Sequence, residues 1–126
     1  MMDVDHFKRF NDQHGHQAGD DALVTVGRVL TSVARAEDRA CRVGGEEFAL
    51  LLPGADERAA AIVAERVRRD VEARAPAAGP VTISLGVAAS RGDDGQALLA
   101  TADARLYAAK EAGRNRVVGA PATTPG

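Results

Sequence analysis

The sequence predicts an α+β fold, an α/β sandwich in which a central, mostly antiparallel β-sheet is flanked by helices. Three long segments carry apolar residues at helical spacing, and a hairpin pattern separates the first two of them. A predicted strand, in which large apolar residues alternate with small ones, lies between the second and the third of these segments. Elements of both kinds in this order favour helices packed on the faces of an antiparallel or mixed sheet.

The predicted order of elements is strand, helix, helix, hairpin, helix, strand, helix, strand. The opening strand, MMDV, is shorter than the usual length of about five or six residues. Residues 7–13 form one short helical turn. The first long helix is predicted from Asp20 to Ala36, where apolar residues recur every three or four positions.

The hairpin is predicted because RACRV and FALLLP flank Gly44 and Gly45. A Gly-Gly pair in a two-residue loop supplies the positive φ angles that type I′ and II′ turns require. The second long helix then runs from an N-cap at Asp56 to Ala73.

The segment VTISLGVAA is predicted to be a strand with one face of large residues and one of small residues. The third long helix runs from Gly95 to Ala112, and Gly113 ends it. The stretch RNRVVG supplies a last short strand.

Length and composition limit the classes of protein that fit. At 126 residues the chain has room for one domain, since independent domains run to roughly 100 to 150 residues. The net charge of −2, with both signs interspersed, argues against nucleic-acid partners or an anionic membrane surface. No apolar run approaches the roughly 20 residues of a membrane helix, so we expect a cytoplasmic protein that this segment does not anchor to a membrane. Cys41 has no internal partner and is expected to be a small buried apolar residue.

Paired carboxylates are the first feature that indicates chemistry. Asp3 and Asp5 are two apart on a predicted strand and therefore share a face, although a bare D-x-D is more often a solvated strand end. Glu46 and Glu47 are adjacent, and neighbouring carboxylates repel each other. A divalent cation would remove that conflict, and Mg²⁺ takes hard oxygen ligands, so Asp3 with Glu46 is a candidate metal pair.

Four segments, in this order and spacing, carry a resemblance to a known family. They are DVDHFKRFNDQHGHQAGDDAL, RVGGEEF, VTISLGVA and ADARLYAAKEAGRNRV. Together they resemble the GGDEF family of diguanylate cyclases in its GGEEF form, and four motifs in register are specific where one alone is weak. The resemblance covers nearly all of residues 1–118 and implies the nucleotidyl-cyclase, polymerase-palm-like fold. Residues 119–126, GAPATTPG, are then a flexible tail.

The resemblance implies roles for the acidic residues. Asp3 and Glu46, helped by the backbone carbonyl of Val4, would bind Mg²⁺, with Mn²⁺ as an alternative. This agrees with the pair chosen above on charge grounds. Glu47 matches the family's second acidic position, near the reacting 3′-hydroxyl, and both metal binding and proton acceptance are open for it. Glu46 and Glu47 are therefore the expected catalytic residues.

The resemblance also implies how the phosphates of GTP are held. The backbone amides around His6, Phe7 and Lys8 would bind the terminal phosphates, as the start of a helix does. Lys110 and Arg114 are spaced i and i+4, so they would clamp the same triphosphate if the last helical turn continues. The alternative for this pair is a solvated helix end favoured by the helix dipole.

Asn11 and Asp20 match the family's guanine-recognition positions. A carboxylate accepts hydrogen bonds from both the N1 and N2 donors of guanine, whereas adenine offers no such pair. The alternative for Asp20 is a simple helix N-cap. We expect His14 and His16 to be structural or exposed, because a Mg²⁺ site prefers oxygen ligands.

The stretch RAED, from Arg35 to Asp38, matches the family's R-x-x-D site, at which the product cyclic di-GMP binds as an inhibitor. An arginine can bind a phosphate or a guanine edge, although R-x-x-D is also a common local ion pair. Arg66 resembles the family's secondary arginine for that site, and it could equally form a solvated face with Arg68 and Arg69.

The implied reaction joins two GTP molecules, one on each of two facing domains, so a homodimer is expected. An alternative is a catalytically inactive module that binds cyclic di-GMP. The family's opening helix, with its D-x-L-T-G-L-x-N-R signature, and part of the first strand are absent from the sequence. We therefore expect a longer parent chain that carries a sensory or receiver module.

Overall fold

The computed structural model describes residues 1–74, 76–90, 92 and 94–120. Its elements are β1 (Met2–Val4), α1 (Phe7–His14), α2 (His16–Val33), β2 (Arg39–Arg42), β3 (Glu47–Leu51), α3 (Glu57–Ala73), β4 (Ile83–Gly86), α4 (Gly95–Glu111) and β5 (Val117–Val118). The order of elements is the predicted one. Most of the predicted tail, residues 121–126, lies outside the described residues.

The strands form one sheet in the order β2-β3-β1-β4-β5. Strand β1 runs antiparallel to both β3 and β4, and β2 runs antiparallel to β3, while β4 and β5 are parallel. The predicted mostly antiparallel sheet is therefore confirmed. Although β1 has three residues, it is central and wholly buried, with Met2 opposite both Phe48 and Leu85.

Helices cover both faces of the sheet. On one face α2 and α3 pack against β1, β3 and β4 in a single apolar core, which includes Met2, Val4, Val26, Val29, Leu30, Phe48, Val67, Val71, Ile83 and Leu85. On the other face α4 approaches β4 closely at Gly86. A Cβ added there would lie 2.1 Å from the Ala102 carbonyl oxygen and 2.3 Å from the Leu106 amide nitrogen. The small-residue face of this strand therefore lets a helix backbone pack directly on the sheet.

Helix boundaries differ from the prediction mainly at α2. The helix begins at His16, so Asp20 lies inside it and the N-cap interpretation of Asp20 is wrong. The added first turn is polar and lacks the apolar repeat on which the prediction depended. At α3 the predicted cap is confirmed, because the Asp56 carboxylate accepts from the Ala59 N–H at 2.8 Å.

The hairpin between β2 and β3 has a longer loop than predicted. Residues 43–46 separate the strands, and neither Gly44 nor Gly45 has a positive φ angle, so the two-residue I′ or II′ turn is wrong. The Val43 N–H donates to the Glu47 carbonyl at 2.8 Å. The Arg42 guanidinium donates to the carbonyls of Gly44, at 3.1 Å, and Gly45, at 2.7 Å. The loop is thus held by the Arg42 side chain and not by the backbone geometry of a tight glycine turn.

Cys41 is exposed, contrary to the expected burial. It lies on β2, an edge strand whose four residues are all exposed. A strand that pairs on one side only leaves more of its side-chain surface in water. Within the described ranges, no helix is long and apolar enough to cross a bilayer.

Candidate active site

Three carboxylates meet where β1 ends beside the start of β3. Asp3 is 5% exposed and is the direct antiparallel partner of Glu47, so their side chains share a face of the sheet. The Val4 N–H donates to the Glu46 carbonyl at 3.2 Å, which holds the glycine loop against the end of β1. The structure therefore brings Glu46 and Glu47 to the same end of the sheet as Asp3.

Lys110, in the last turn of α4, reaches this acidic group from the opposite end of the chain. Its ammonium donates to Asp3 Oδ2 at 2.7 Å. Lys110 was predicted to bind the phosphates of GTP, and in the structure it contacts one of the two predicted metal ligands. The positive charge of Lys110 thus lies against Asp3 and also acts on Glu46.

The pKa of Glu46 is raised above its ordinary value of 4.5. Burial is the largest cause, and the negative charges of Asp3 and Glu47 act in the same direction, while Lys110 opposes them. Burial and the two neighbouring carboxylates together outweigh the attraction of Lys110, so the ionised form of Glu46 is disfavoured. A bound cation would favour the ionised form of Glu46.

The donor set fits Mg²⁺. Asp3 and Glu46 offer carboxylate oxygens and Val4 a backbone carbonyl, and Mg²⁺ is usually held by one or two carboxylates together with phosphates and water. Among the residues that the structure describes, no group of three or more His, Cys, Asp or Glu side chains is arranged to hold a metal by itself. Protein ligands of this number therefore suit a metal that arrives with a phosphorylated ligand.

Helix α1 begins directly after this acidic group. His6 precedes it in a left-handed conformation, with φ 53° and ψ 36°, and its side chain makes no capping hydrogen bond. No described residue caps the first-turn amides of α1, including those of Phe7 and Lys8, with its side chain. Uncapped N–H groups at a helix start favour anions, so this helix start is suited to a phosphate, and the phosphate site itself stays a prediction.

Asn11 and Asp20 lie on the packed pair α1 and α2. The Asn11 Oδ1 atom is buried and accepts no hydrogen bond from any described residue. A Cβ at Gly19 would lie 1.7 Å from that oxygen, so the absence of a side chain at Gly19 makes room for Asn11. Asp20 follows directly and is exposed. The two predicted guanine-binding residues therefore lie on neighbouring helices, at the point where Asn11 of α1 packs against Gly19 of α2.

Arg114 does not share a helical face with Lys110. Helix α4 ends at Glu111, and Gly113 follows with φ 124°. The Gly113 N–H bonds to the Lys110 carbonyl and the Arg114 N–H to the Ala109 carbonyl, which is a Schellman ending. This confirms that Gly113 ends the helix, but the continued turn on which the predicted i, i+4 face depended does not form. Arg114 adopts a left-handed conformation, with φ 64°.

Asp5 is the residue that sequence reasoning missed. Its carboxylate accepts hydrogen bonds from Ser84 Oγ at 2.5 Å, from Thr82 Oγ1 at 2.7 Å and from the Asn115 N–H at 3.0 Å. Asp5 is 7% exposed, so the solvated-strand-end interpretation of D-x-D is wrong. The signal was available in the polar small-residue face of VTISLGVAA, which needs a partner where it is buried.

The R-x-x-D residues form a compact turn between α2 and β2. The Arg35 N–H donates to Asp38 Oδ2 at 2.7 Å, and this contact is the main cause that lowers the pKa of Asp38. The Arg35 guanidinium lies 3.4 Å from Asp38 and 3.3 Å from Glu37, and it stays exposed. The local ion pair is therefore formed, and the arginine still faces solvent.

Arg66 is exposed on α3, and its Nε lies 4.0 Å from Asp70 Oδ2. No hydrogen bond or ion pair joins it to Arg35 or Asp38 in the part of the chain that the structure describes. Arg68 is the exception among the neighbouring arginines, since it is largely buried and bonds to Glu65 and Asn115.

His14 and His16 are structural and exposed, respectively, as expected. The ring of His14 packs on Phe10 with centroids 4.7 Å apart, and His16 is exposed.

The sheet, its flanking helices and the acidic group at the end of β1 define a palm-like α+β domain of the nucleotidyl-cyclase kind. The family profile described as "Diguanylate cyclase, GGDEF domain" matches residues 1–116, and the chain belongs to the GGDEF family.

Three relatives illustrate the similarity. Diguanylate cyclase A of Treponema denticola is 42% identical over 123 residues, which cover 93% of this chain and 33% of that protein. The GGDEF domain of DgcB from Caulobacter crescentus, solved in complex with c-di-GMP, is 40% identical with a TM-score of 0.87, covering 94% of this chain and 74% of that one. The active GGEEF domain of a diguanylate cyclase from Vibrio cholerae is 32% identical with a TM-score of 0.88, covering 97% and 81%. The chain spans about a third of the length of the curated relatives it matches.

Proposed function

We propose that this chain is the catalytic domain of a diguanylate cyclase, which condenses two GTP into cyclic di-GMP and releases two pyrophosphates. The observation that carries the proposal is the contact of Lys110 with Asp3 beside Glu46, which joins a cation and paired carboxylates at one end of the sheet. Membership of the GGDEF family supports the same reaction.

Asp3 and Glu46 would hold Mg²⁺, or Mn²⁺, with the Val4 carbonyl as a third ligand. When bound, such an ion supplies positive charge to the phosphate oxygens of the reacting centre. Glu47, held in β3 directly opposite Asp3, would lie near the attacking 3′-hydroxyl. If Glu47 accepts a proton, Glu47→Gln should lower turnover and leave the metal requirement unchanged. If Glu47 binds the metal, the same substitution should also raise the metal concentration that turnover requires.

The remaining residues position the substrate. The amides around His6, Phe7 and Lys8 would bind the terminal phosphates, with Lys110 and Arg114 adding positive charge. Each of these contacts orders GTP before reaction, so catalysis would depend mainly on positioning.

Guanine would be recognised between α1 and α2. The exposed Asp20 carboxylate has no capping role and would accept from the N1 and N2 donors of the base. A nucleotide donor that reached Asn11 would satisfy an acceptor that lacks a partner among the described residues.

Two copies of the domain are needed for one product. The 3′-hydroxyl of the GTP on one protomer attacks the α-phosphorus of the GTP on its partner, and pyrophosphate leaves; a second attack closes the ring. We therefore propose a homodimer, brought together by a sensory or receiver module of a longer parent chain. The reaction consumes GTP, so we propose that the domain works in the cytoplasm.

A second function is binding of cyclic di-GMP at Arg35 and Asp38, as a feedback site or, in an inactive domain, as the main activity. The observation that favours it is the exposed Arg35 guanidinium, which Asp38 holds in a fixed turn. Arg66 would contribute from α3. The solved complex of DgcB with c-di-GMP shows that a relative binds this ligand.

A turnover assay separates the two functions. The purified chain is incubated with GTP and Mg²⁺ at high protein concentration, and pyrophosphate and cyclic di-GMP are followed by chromatography. We expect both products from the wild type and at least about 100-fold less from Glu46→Gln. Binding of added cyclic di-GMP without any product would instead identify a binding module.

The feedback site has its own test. Arg35→Ala should relieve inhibition by added cyclic di-GMP without lowering the initial rate, because the turn of Arg35 precedes β2 at the Leu51 end of β3, opposite the end that carries Glu47. Arg28→Ala, which removes an exposed arginine of α2, is the matched control and should leave inhibition unchanged. An unaltered inhibition curve for Arg35→Ala would reject the site.

A further inference from the structure

We propose that Asp5 is a positioning residue for the triphosphate, because it holds the turn that carries Arg114. This inference rests on the proposed function, since it assigns Asp5 a role toward the phosphates of GTP. Asp5 itself would touch neither nucleotide nor metal.

The carboxylate of Asp5 connects three parts of the fold. It accepts from Ser84 Oγ and Thr82 Oγ1 of the β4 region and from the Asn115 N–H beyond α4. The Asp5 N–H donates to the Thr82 carbonyl at 2.9 Å, so its own backbone is fixed to the same segment. A buried carboxylate with three donors is held in one orientation.

The turn that Asp5 binds has an unfavourable backbone. Arg114 and Asn115 are consecutive left-handed residues, with φ 64° and 47°, and neither is a glycine. Such a conformation persists only where the surrounding structure fixes it. From α3, Arg68 donates to Asn115 Oδ1 at 3.0 Å, and Asn115 Nδ2 donates to Glu72 at 2.5 Å. Asp5 supplies the contact from the side of β1.

Two carboxylates therefore tie the end of β1 to the two predicted phosphate-binding cations. Asp3 bonds to Lys110 directly, and Asp5 bonds to the residue after Arg114. In the part of the chain that the structure describes, the Arg114 side chain makes no hydrogen bond or ion pair. Its backbone therefore determines where the side chain starts, and Asp5 contacts the next residue of that backbone from the β1 side.

A purely structural role for Asp5 makes a different prediction. General destabilisation would weaken the binding of every guanine nucleotide to the same degree. A positioning role toward Arg114 weakens the triphosphate alone, since GMP would use only the guanine contacts and one phosphate. The ratio of the two affinities distinguishes these roles.

The experiment measures, by titration calorimetry with Mg²⁺, the affinities for GMP and for 3′-deoxyguanosine triphosphate, which lacks the attacking hydroxyl. We expect Asp5→Ala to reduce the preference for the triphosphate about tenfold and to leave GMP binding unchanged. Asp5→Asn keeps an oxygen that can accept from the Asn115 N–H, so it should restore much of the preference. Asp103→Ala removes an exposed carboxylate of α4 and is the matched control.

An undiminished preference in Asp5→Ala, or an equal loss for both nucleotides, would overturn the inference. Circular dichroism checks that each variant is folded; if Asp5→Ala does not fold, Ser84→Ala, which removes one of the three donors to Asp5, decides by the same ratio. A wild type that binds neither nucleotide would refute the proposed function and this inference together. A wild type with a strong triphosphate preference that Asp5→Ala retains would refute the inference alone.

Discussion

Glu46 lies between β2 and β3 with two other carboxylates beside it, and its pKa is raised mainly by burial. The Glu46 carboxyl group therefore binds its proton more tightly in the folded chain than in the unfolded chain. Below the ordinary value of 4.5 Glu46 costs the fold nothing, and stability is lost as the pH rises through the raised pKa.

Glu46→Gln should accordingly raise the free energy of unfolding at pH 7 in the absence of divalent cations, while it abolishes turnover. At about pH 3.5 the variant and the wild type should be equally stable, because both side chains are then neutral. Urea denaturation at the two pH values measures this. Glu111→Gln, at an exposed site, is the control and should change stability by less than about 0.5 kcal/mol. If Glu46→Gln were less stable than the wild type at pH 7, the claim that the ionised Glu46 carboxylate destabilises the fold would be wrong.

Gly19 allows a second prediction at this scale. Gly19→Ala would force the Asn11 amide aside, because the new Cβ would lie 1.7 Å from Oδ1. We expect GMP affinity to fall about tenfold, with little change in stability, since alanine gains up to about 1 kcal/mol of helix propensity. Gly27→Ala on the same helix meets nothing within 4 Å and serves as the control. Unchanged GMP binding by Gly19→Ala would argue against guanine recognition by Asn11.

The proximity of Asp3 to Glu46 could be anticipated from charge alone, while their role as metal ligands stays a prediction. Charge repulsion pointed to Asp3 with Glu46, and the structure brings both to one end of the sheet. Asp5 was missed because its donors lie about 80 and 110 positions away, and no local pattern links them.

At the scale of elements, the contact between α4 and β4 depends on Gly86. Gly86→Ala would place a Cβ against helix backbone, which cannot move aside as a flexible side chain can. We expect a loss of about 1–3 kcal/mol in the free energy of unfolding. Gly27→Ala should instead gain about 0.5–1 kcal/mol. Urea denaturation of both variants is the measurement, and an unchanged stability of Gly86→Ala would contradict this packing.

The long elements could be predicted because they combine apolar periodicity with end signals, as α3 does with Asp56. The start of α2 could not be predicted, because its first turn lacks an apolar repeat. This turn follows the break at Gly15, and it forms where α2 packs against α1. The loop of Gly44 and Gly45 was misjudged because glycine pairs suggest positive φ, whereas the Arg42 side chain holds this loop.

At the scale of the whole molecule, the proposed reaction needs two protomers. Turnover per protomer should therefore rise with protein concentration until the dimer forms, while binding of a single nucleotide should not depend on it. Initial rates over a hundredfold range of concentration, at saturating GTP, measure this. A constant rate per protomer, at concentrations where sedimentation shows a monomer, would contradict the two-protomer mechanism.

The fold class followed from the order of elements, because few architectures accommodate hairpins and amphipathic helices in this sequence. The sheet order did not follow, since β1 is three residues long and its central place depends on pairing with two distant strands. The contact of Lys110 with Asp3 spans almost the whole chain and was not predicted, since the family resemblance assigned Lys110 only to the triphosphate.

The central claim is that the end of β1 binds a nucleotide together with a metal through Asp3 and Glu46. Its most direct test is the affinity for 3′-deoxyguanosine triphosphate with and without Mg²⁺, in the wild type and in Glu46→Gln. We expect Mg²⁺ to tighten binding to the wild type at least about tenfold and to have little effect on the variant. An equal effect of Mg²⁺ on both proteins, or none on the wild type, would contradict the claim.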